Sequence, residues 1–135
     1  MSYNNICQCK SCGYIFDNPR PTFEEIERYY SQVEKYDAWL AAEMARDLLW
    51  QRRLRAVKRE RRSGTLLDIG TGTGQFLLFA QNDFDVTGTE ISKNAVRIAR
   101  EKYNIDVMEG EIEDIDFGDS KFDVITCFHV LEHVP

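Results

Sequence analysis

The 135-residue chain has no run of about 20 apolar residues, so no segment is suited to cross a bilayer as a helix. Its polar start, Met1-Ser2-Tyr3-Asn4-Asn5, lacks the basic and apolar regions of a secretory leader, and a cytoplasmic location is expected. Cysteine is scarce: Cys7, Cys9, Cys12 and Cys127. Cys9-Lys10-Ser11-Cys12-Gly13 is a single knuckle, whereas a structural zinc site takes four ligands, normally from two knuckles. Zinc on Cys9 and Cys12, or free thiols, are both open; a disulfide is not expected in a reducing compartment. An excess of positive charge is also missing, the net charge being −6. Residues 1–62 carry 12 basic and 9 acidic groups, and residues 63–135 carry 5 and 14. So acidic a second half is unsuited to wrapping a long nucleic acid, whose affinity comes largely from neutralised phosphates. The basic run from Arg52 to Arg62 is either a phosphate contact or the solvated face of a helix. Two further absences are a G-x-G-x-x-G fingerprint and a Tyr-x-x-x-Lys pair after residue 63. Both count against a nicotinamide oxidoreductase or epimerase.

What is present centres on Leu66-Leu67-Asp68-Ile69-Gly70-Thr71-Gly72-Thr73-Gly74. A continuous apolar run, an acid, a glycine-rich turn and then a helical pattern describe the first strand–helix unit of a doubly wound α/β sheet. Ligands bind such sheets at the carboxyl ends of the strands. A second strand, Asp85 to Glu90, ends in another acid about 20 residues on, where a carboxylate can accept both hydroxyls of a ribose. With 43% apolar and 30% charged residues, the chain has the composition and length of one globular domain. Upstream, Thr22-Phe23-Glu24-Glu25 reads as a capping box opening a short helix through Tyr30. A helix, single or broken, is expected over 37–62, with Leu40, Met44, Leu48 and Val57 on one face and Trp39, Trp50 and Leu54 beside it. The aromatic residues of this segment are expected to pack rather than to bind, with Tyr29, Tyr30 and Tyr36 the candidates for a ligand contact. Downstream, strand one spans Thr65 to Ile69, a helix follows from about Gly74 to Gln81, and Ser92 caps the next helix, with Ala95, Ile98, Ala99 and Lys102 facing inward. Strand three lies at about Asp106 to Glu109 and strand four at Phe122 to Phe128, which makes Cys127 a small core residue.

The D-x-G-x-G-x-G arrangement of Asp68, Gly70, Gly72 and Gly74 resembles motif I of the class I S-adenosylmethionine-dependent methyltransferases. The resemblance implies that Gly70, Thr71, Gly72 and Gly74 wrap the methionine part of the cofactor, with Asp68 facing its amine. Glu90 would take the ribose, with Ile91 beside it. Gly110-Glu111-Ile112-Glu113-Asp114-Ile115-Asp116-Phe117 looks like the family segment that meets adenine, through Glu111 and the amide of Ile112, and Phe128 completes the pocket. His129-Val130-Leu131-Glu132-His133 is similar to the E-x-x-E-H of ubiquinone and small-RNA O-methyltransferases, which holds a divalent metal such as magnesium. His129, Glu132 and His133 would share one helical face for that purpose. Otherwise His129 lines the pocket, where it is the candidate general base, while Glu132 and His133 begin a helix. Cys9 to Gly13, with Pro19-Arg20-Pro21, matches the end of a zinc-binding cysteine module that precedes many of these enzymes. No N/D-P-P-Y/F sequence follows strand four, which argues against amino-methylation of bases in DNA.

These readings imply an α/β, Rossmann-like doubly wound sheet of order 3-2-1-4, preceded by a cysteine knuckle and helices. The expected divisions are 1–21, a partial cysteine module; 22–62, a helical segment; and 63–135, an incomplete cofactor-binding domain. The family sheet has seven strands, so a C-terminally truncated fragment is expected, with strand four an open edge that could pair with a second copy. The implied function is methyl transfer to a small metabolite or sugar-type acceptor. A nicotinamide oxidoreductase or epimerase, or a non-enzymatic zinc- or RNA-binding module, are the alternatives.

Overall fold

The computed structural model describes residues 6–30, 32 and 43–133. Tyr36, Trp39 and Leu40, and the side chain of Met44, lie outside them. The chain opens with an antiparallel hairpin of β1 (Ile6–Gln8) and β2 (Ile15–Asp17), in which Cys7 pairs with Phe16. The Cys9–Gly13 turn is closed by the Gly13 amide donating to the Cys9 carbonyl at 2.9 Å. Helix α1 (Phe23–Tyr30) starts at the capping box: the Thr22 amide donates to Glu25 Oε2 at 2.9 Å, and the Glu25 amide to Thr22 Oγ1 at 3.3 Å. Each side chain thereby satisfies an amide that helix geometry leaves without an intrahelical partner.

Helix α2 (Glu43–Glu60) crosses onto the sheet with Trp50, Leu54 and Val57, spaced by four and three residues. Leu48 is not on this face, contrary to the sequence pattern, and is 70% exposed. The true stripe is set by its contact with the core, not by the longer apolar repeat that begins upstream. Past Ser63 come β3 (Gly64–Ile69), α3 (Gln75–Ala80), β4 (Phe84–Glu90), α4 (Lys93–Tyr103), β5 (Val107–Glu109), a 3-10 turn (Ile112–Asp114) and β6 (Val124–Cys127). The four long-range strands are parallel in the order β5-β4-β3-β6, which is the expected 3-2-1-4. At its start, β3 is tied to the segment before β6 through Asp123, whose carboxylate accepts from the Thr65 amide at 3.0 Å and from Arg61 at 2.7 Å.

Ser92 caps α4, accepting from the Ala95 amide at 3.4 Å, and Asn104 ends it in the left-handed conformation. Ala95, Val96 and Ala99 form the inward face; Lys102, expected there, is exposed, with its amine over the Tyr103 ring. A long flexible cation is cheaper to leave in water than to bury unpaired. The core is made by Leu66, Phe76, Leu77, Ala80, Phe84, Val96, Ile105 and Val107, with α2 closing it through Leu54. Cys127 is only half-buried, and no disulfide joins the four cysteines. Along β6, Ile125 is 61% exposed, and among the described residues no strand pairs with its outer edge. Phe76 is 1% exposed and meets Phe128 edge-on with ring centroids 5.1 Å apart. Phe76→Ala is expected to lower unfolding free energy by about 3–5 kcal/mol, the usual cost of emptying a buried aromatic site, measured by urea denaturation.

Candidate functional site

The ends of β3, β4 and β5 and the turn after β6 lie at one edge of the sheet, as the parallel pairing requires. The glycine turn between β3 and α3 is shaped by positive φ at Gly70, Gly72 and Gly74. At Gly70 a side chain would collide with Val130, and at Gly74 it would press on Ala99, so both positions combine a left-handed backbone with close approach. The Thr71 amide donates to the Thr89 carbonyl at 2.9 Å, fastening the turn to β4.

Glu90, 8% exposed at the end of β4, reaches back to this turn. Its Oε2 accepts from the Gly72 amide at 2.8 Å and its Oε1 from the Ser92 amide at 2.9 Å. Burial raises its pKa, against the pull of those amides. A carboxylate has about four acceptor positions, so two amides fix its orientation and leave lone pairs for two hydroxyls. Asp68, 3% exposed at the end of β3, accepts from Thr126 Oγ1 at 2.7 Å. Burial pushes its carboxyl up to about 6; the hydrogen bond from Thr126 and the charge of Arg53 oppose the shift, and Glu90 adds to it. Two carboxyls in one partly dry cleft give a strongly acceptor-rich surface. The Gly110 amide donates to the Glu90 carbonyl at 3.0 Å, bringing Glu111 and Ile112 to the same edge, both half-buried. Ile91 sits half-buried between Glu90 and the α4 cap.

Beyond β6, Phe128 packs on Phe76 and Trp50, and His129 adopts a left-handed backbone with φ 58°. Leu131–His133 form a turn rather than a helix. His129, Glu132 and His133 therefore do not share a helical face. Glu132 Oε1 lies 3.1 Å from His129 Nδ1, and the His133 ring stands edge-on to Tyr30 with centroids 5.7 Å apart. Among the described residues no three His, Cys, Asp or Glu side chains are grouped to hold a metal ion. Glu132 and His133, expected to hold magnesium, lie against other side chains, Glu132 against His129 and His133 against Tyr30. At the knuckle, Cys9 and Cys12 supply two thiols, and amide hydrogen bonds from Cys12 and Ser11 lower the Cys9 pKa. Those amides favour a thiolate there, but two ligands fall short of the four a structural zinc requires.

Sequence reasoning missed Arg53 and Trp50. Arg53 belongs to the basic run, yet its guanidinium lies over both Trp50 and Phe128, 4.7 and 4.6 Å from the ring centroids, with Nη2 2.6 Å from His129 Nε2. Trp50 Nε1 donates to Gln75 Oε1 at 3.4 Å, placing α2 over the start of α3. The available signal was position: residues 50, 53, 54 and 57 lie on one helical face, so Arg53 is a cation within the buried stripe.

Because the folded pKa of Asp68 lies above its unfolded value near 3.8, the native state binds this proton more tightly. Stability is expected to fall as pH rises from about 4 through 6, with Asp68 costing about 3 kcal/mol when fully ionised. Asp68→Asn should remove that leg of the profile and be the more stable protein at pH 7, as read from urea unfolding at pH 4, 5, 6 and 7.

Comparison with known proteins agrees with this geometry. An uncharacterized protein of Methanocaldococcus jannaschii is 35% identical over 101 residues, covering 74% of this chain and 45% of that protein. The structure of an amino pentose methyltransferase from Micromonospora echinaspora, with SAM bound, aligns with TM-score 0.56 and 26% identity over 67% of this chain and 41% of that one. A magnesium protoporphyrin IX methyltransferase from Synechocystis, also with SAM bound, shares the fold with TM-score 0.66 and 20% identity over 87% of this chain and 67% of that one. The chain spans less than half the length of the curated relatives it matches. Residues 36–135 match the family described as a methyltransferase domain, and with the parallel β5-β4-β3-β6 sheet and its glycine turn this chain belongs to that family, in the class I, Rossmann-like form.

Proposed function

We propose that this chain is the cofactor-binding half of an S-adenosylmethionine-dependent methyltransferase acting on a small metabolite or sugar-type acceptor. The observation that carries the reading is the pairing of buried Asp68 with Glu90, whose carboxylate is oriented by the Gly72 and Ser92 amides. The residues fit the cofactor. Glu90 has lone pairs left for ribose hydroxyls, and Asp68 is a buried acceptor suited to an ammonium group, which would hold it ionised. Glu111 and Ile112 would meet the adenine. The cofactor supplies an activated methyl group on sulfonium. The chain's own share is alignment and exclusion of water, with His129 the candidate base for the acceptor's proton. The sugar-type acceptor is favoured by the amino pentose methyltransferase among the structural neighbours. The open β6 edge would pair with a further strand or a second copy.

A calorimetric titration with S-adenosylmethionine and S-adenosylhomocysteine tests this reading, with NADH as control. Both adenosyl compounds should bind and NADH should not, and Asp68→Ala and Glu90→Ala should each weaken binding at least tenfold. Binding of NADH in place of the adenosyl compounds would overturn it.

A further inference from the structure

The end of the basic run, which the reaction leaves unused, lines a second concavity. A groove of about 620 Å³ lies between α2 and the turn before β4, where Arg55, Lys58, Arg59, Arg62 and Asp83 surround Leu54. Arg55, Lys58 and Arg59 are three and four residues apart and therefore neighbours on one face of α2, and Arg62 follows just past the helix end. This groove is separate from the cofactor cleft. Arg62 lies shortly before β3 and Asp83 directly before β4, so the groove opens at the starts of the strands, whereas the glycine turn and Glu90 stand at their ends. The six residues of β3 put about 20 Å between those two edges, at about 3.3 Å per residue.

The positive charge of the groove is mostly unspent. Lys58 is paired with Asp83, and Arg61, next to the groove in sequence, is taken by Asp123 at 2.7 Å. Arg55, Arg59 and Arg62 have no ion pair or hydrogen bond among the described residues. Four cations against one carboxylate leave a surplus of three. Like charges four apart on a helix, as Arg55 and Arg59 are, repel each other. The helix dipole favours cations in the last turn, Lys58 and Arg59, but not Arg55 a turn earlier or Arg62 outside the helix. An anion from outside the chain would offset the repulsion.

The chemistry of the lining narrows the anion. Guanidinium forks match phosphate oxygens two at a time. A diphosphate esterified at one end carries about three negative charges at pH 7 in one compact group, equal to the surplus. A long polyanion would instead run on over residues 63–135, with their 5 basic and 14 acidic groups. The stems of the long cations and Leu54 offer apolar surface, and a guanidinium plane stacks on a flat ring. The volume also falls within the range of about 300–1,000 Å³ usual for small-ligand sites. We propose that this groove binds a nucleoside diphosphate, with Arg55, Arg59 and Arg62 on its free-ended diphosphate. Asp83 limits the charge the groove can take by holding Lys58. No residue of the cofactor cleft takes part, so this site stands or falls independently of the cofactor reading.

Calorimetric titration of the whole chain with UDP, without divalent cations, tests the proposal. UDP should bind, more tightly than inorganic pyrophosphate, and uridine should not. NADH, whose diphosphate is esterified at both ends and lacks the dianionic terminus, should not bind measurably. Replacing both Arg55→Gln and Arg59→Gln, two exposed side chains, should weaken UDP at least tenfold, with folding checked by circular dichroism. Arg97→Gln, an exposed cation on α4 outside the groove, should change it less than twofold. Asp83→Asn, which frees Lys58 and removes the one opposing carboxylate, should tighten UDP about threefold. Saturating S-adenosylhomocysteine should not displace it. The proposal is overturned if the folded chain does not bind UDP, if S-adenosylhomocysteine displaces it, if NADH or pyrophosphate binds as well, or if the double variant binds UDP unchanged. A single-stranded RNA dodecamer bound through Arg55 and Arg59 in place of UDP would overturn it too.

Discussion

Two amide hydrogen bonds to one buried carboxylate hold the working edge of this sheet together. Glu90 takes the Gly72 amide from the loop before α3 and the Ser92 amide from the loop before α4, while its carbonyl accepts from Gly110 beyond β5. Three loops that are far apart in sequence are thereby referred to one residue at a strand end. Placing a carboxylate where it is 8% exposed is costly, and the amides are what make it tolerable.

Asp68 shows the complementary economy. It lies deeper, receives one short hydrogen bond from Thr126, and is held near the middle of its titration range at mildly acidic pH. A site that is costly when empty and relieved by a cation discriminates for that cation, since stability given up in the free protein is recovered on binding. This is the electrostatic logic expected for a ligand that carries an amine and a sulfonium rather than phosphates, and it agrees with a turn built on G-x-G-x-G instead of the pyrophosphate fingerprint.

Helix α2 converts the sheet edge into a cleft. Trp50, Leu54 and Val57 anchor it to the core, and the same face brings Arg53 over Phe128 to His129. The helix therefore does two things with one stripe: it buries apolar area, and it delivers a cation to the turn after β6. A residue 76 positions away in sequence is thereby brought against the His129 ring.

Much of the fold was legible because it is written in local terms. The strand before the glycines, the capping box at Thr22, the N-cap at Ser92, and the acids closing β3 and β4 are each set by a few adjacent residues, whereas the β5-β4-β3-β6 order was expected from the family resemblance. Asp68, Glu90 and the glycine turn were for that reason identifiable from sequence, as was the fold class. The register of α2 was not, since an apolar repeat containing Leu48 and Met44 competes with the true stripe and only the shape of the core selects between them. Nor was the geometry after β6, where spacing suggests one helical face for His129, Glu132 and His133 and the chain instead turns at a left-handed His129. Local sequence determines strands, caps and turns because their hydrogen bonds close within a few residues. The partners of Arg53 and of His129 were decided by tertiary structure, because they depend on contacts between elements that only packing brings together.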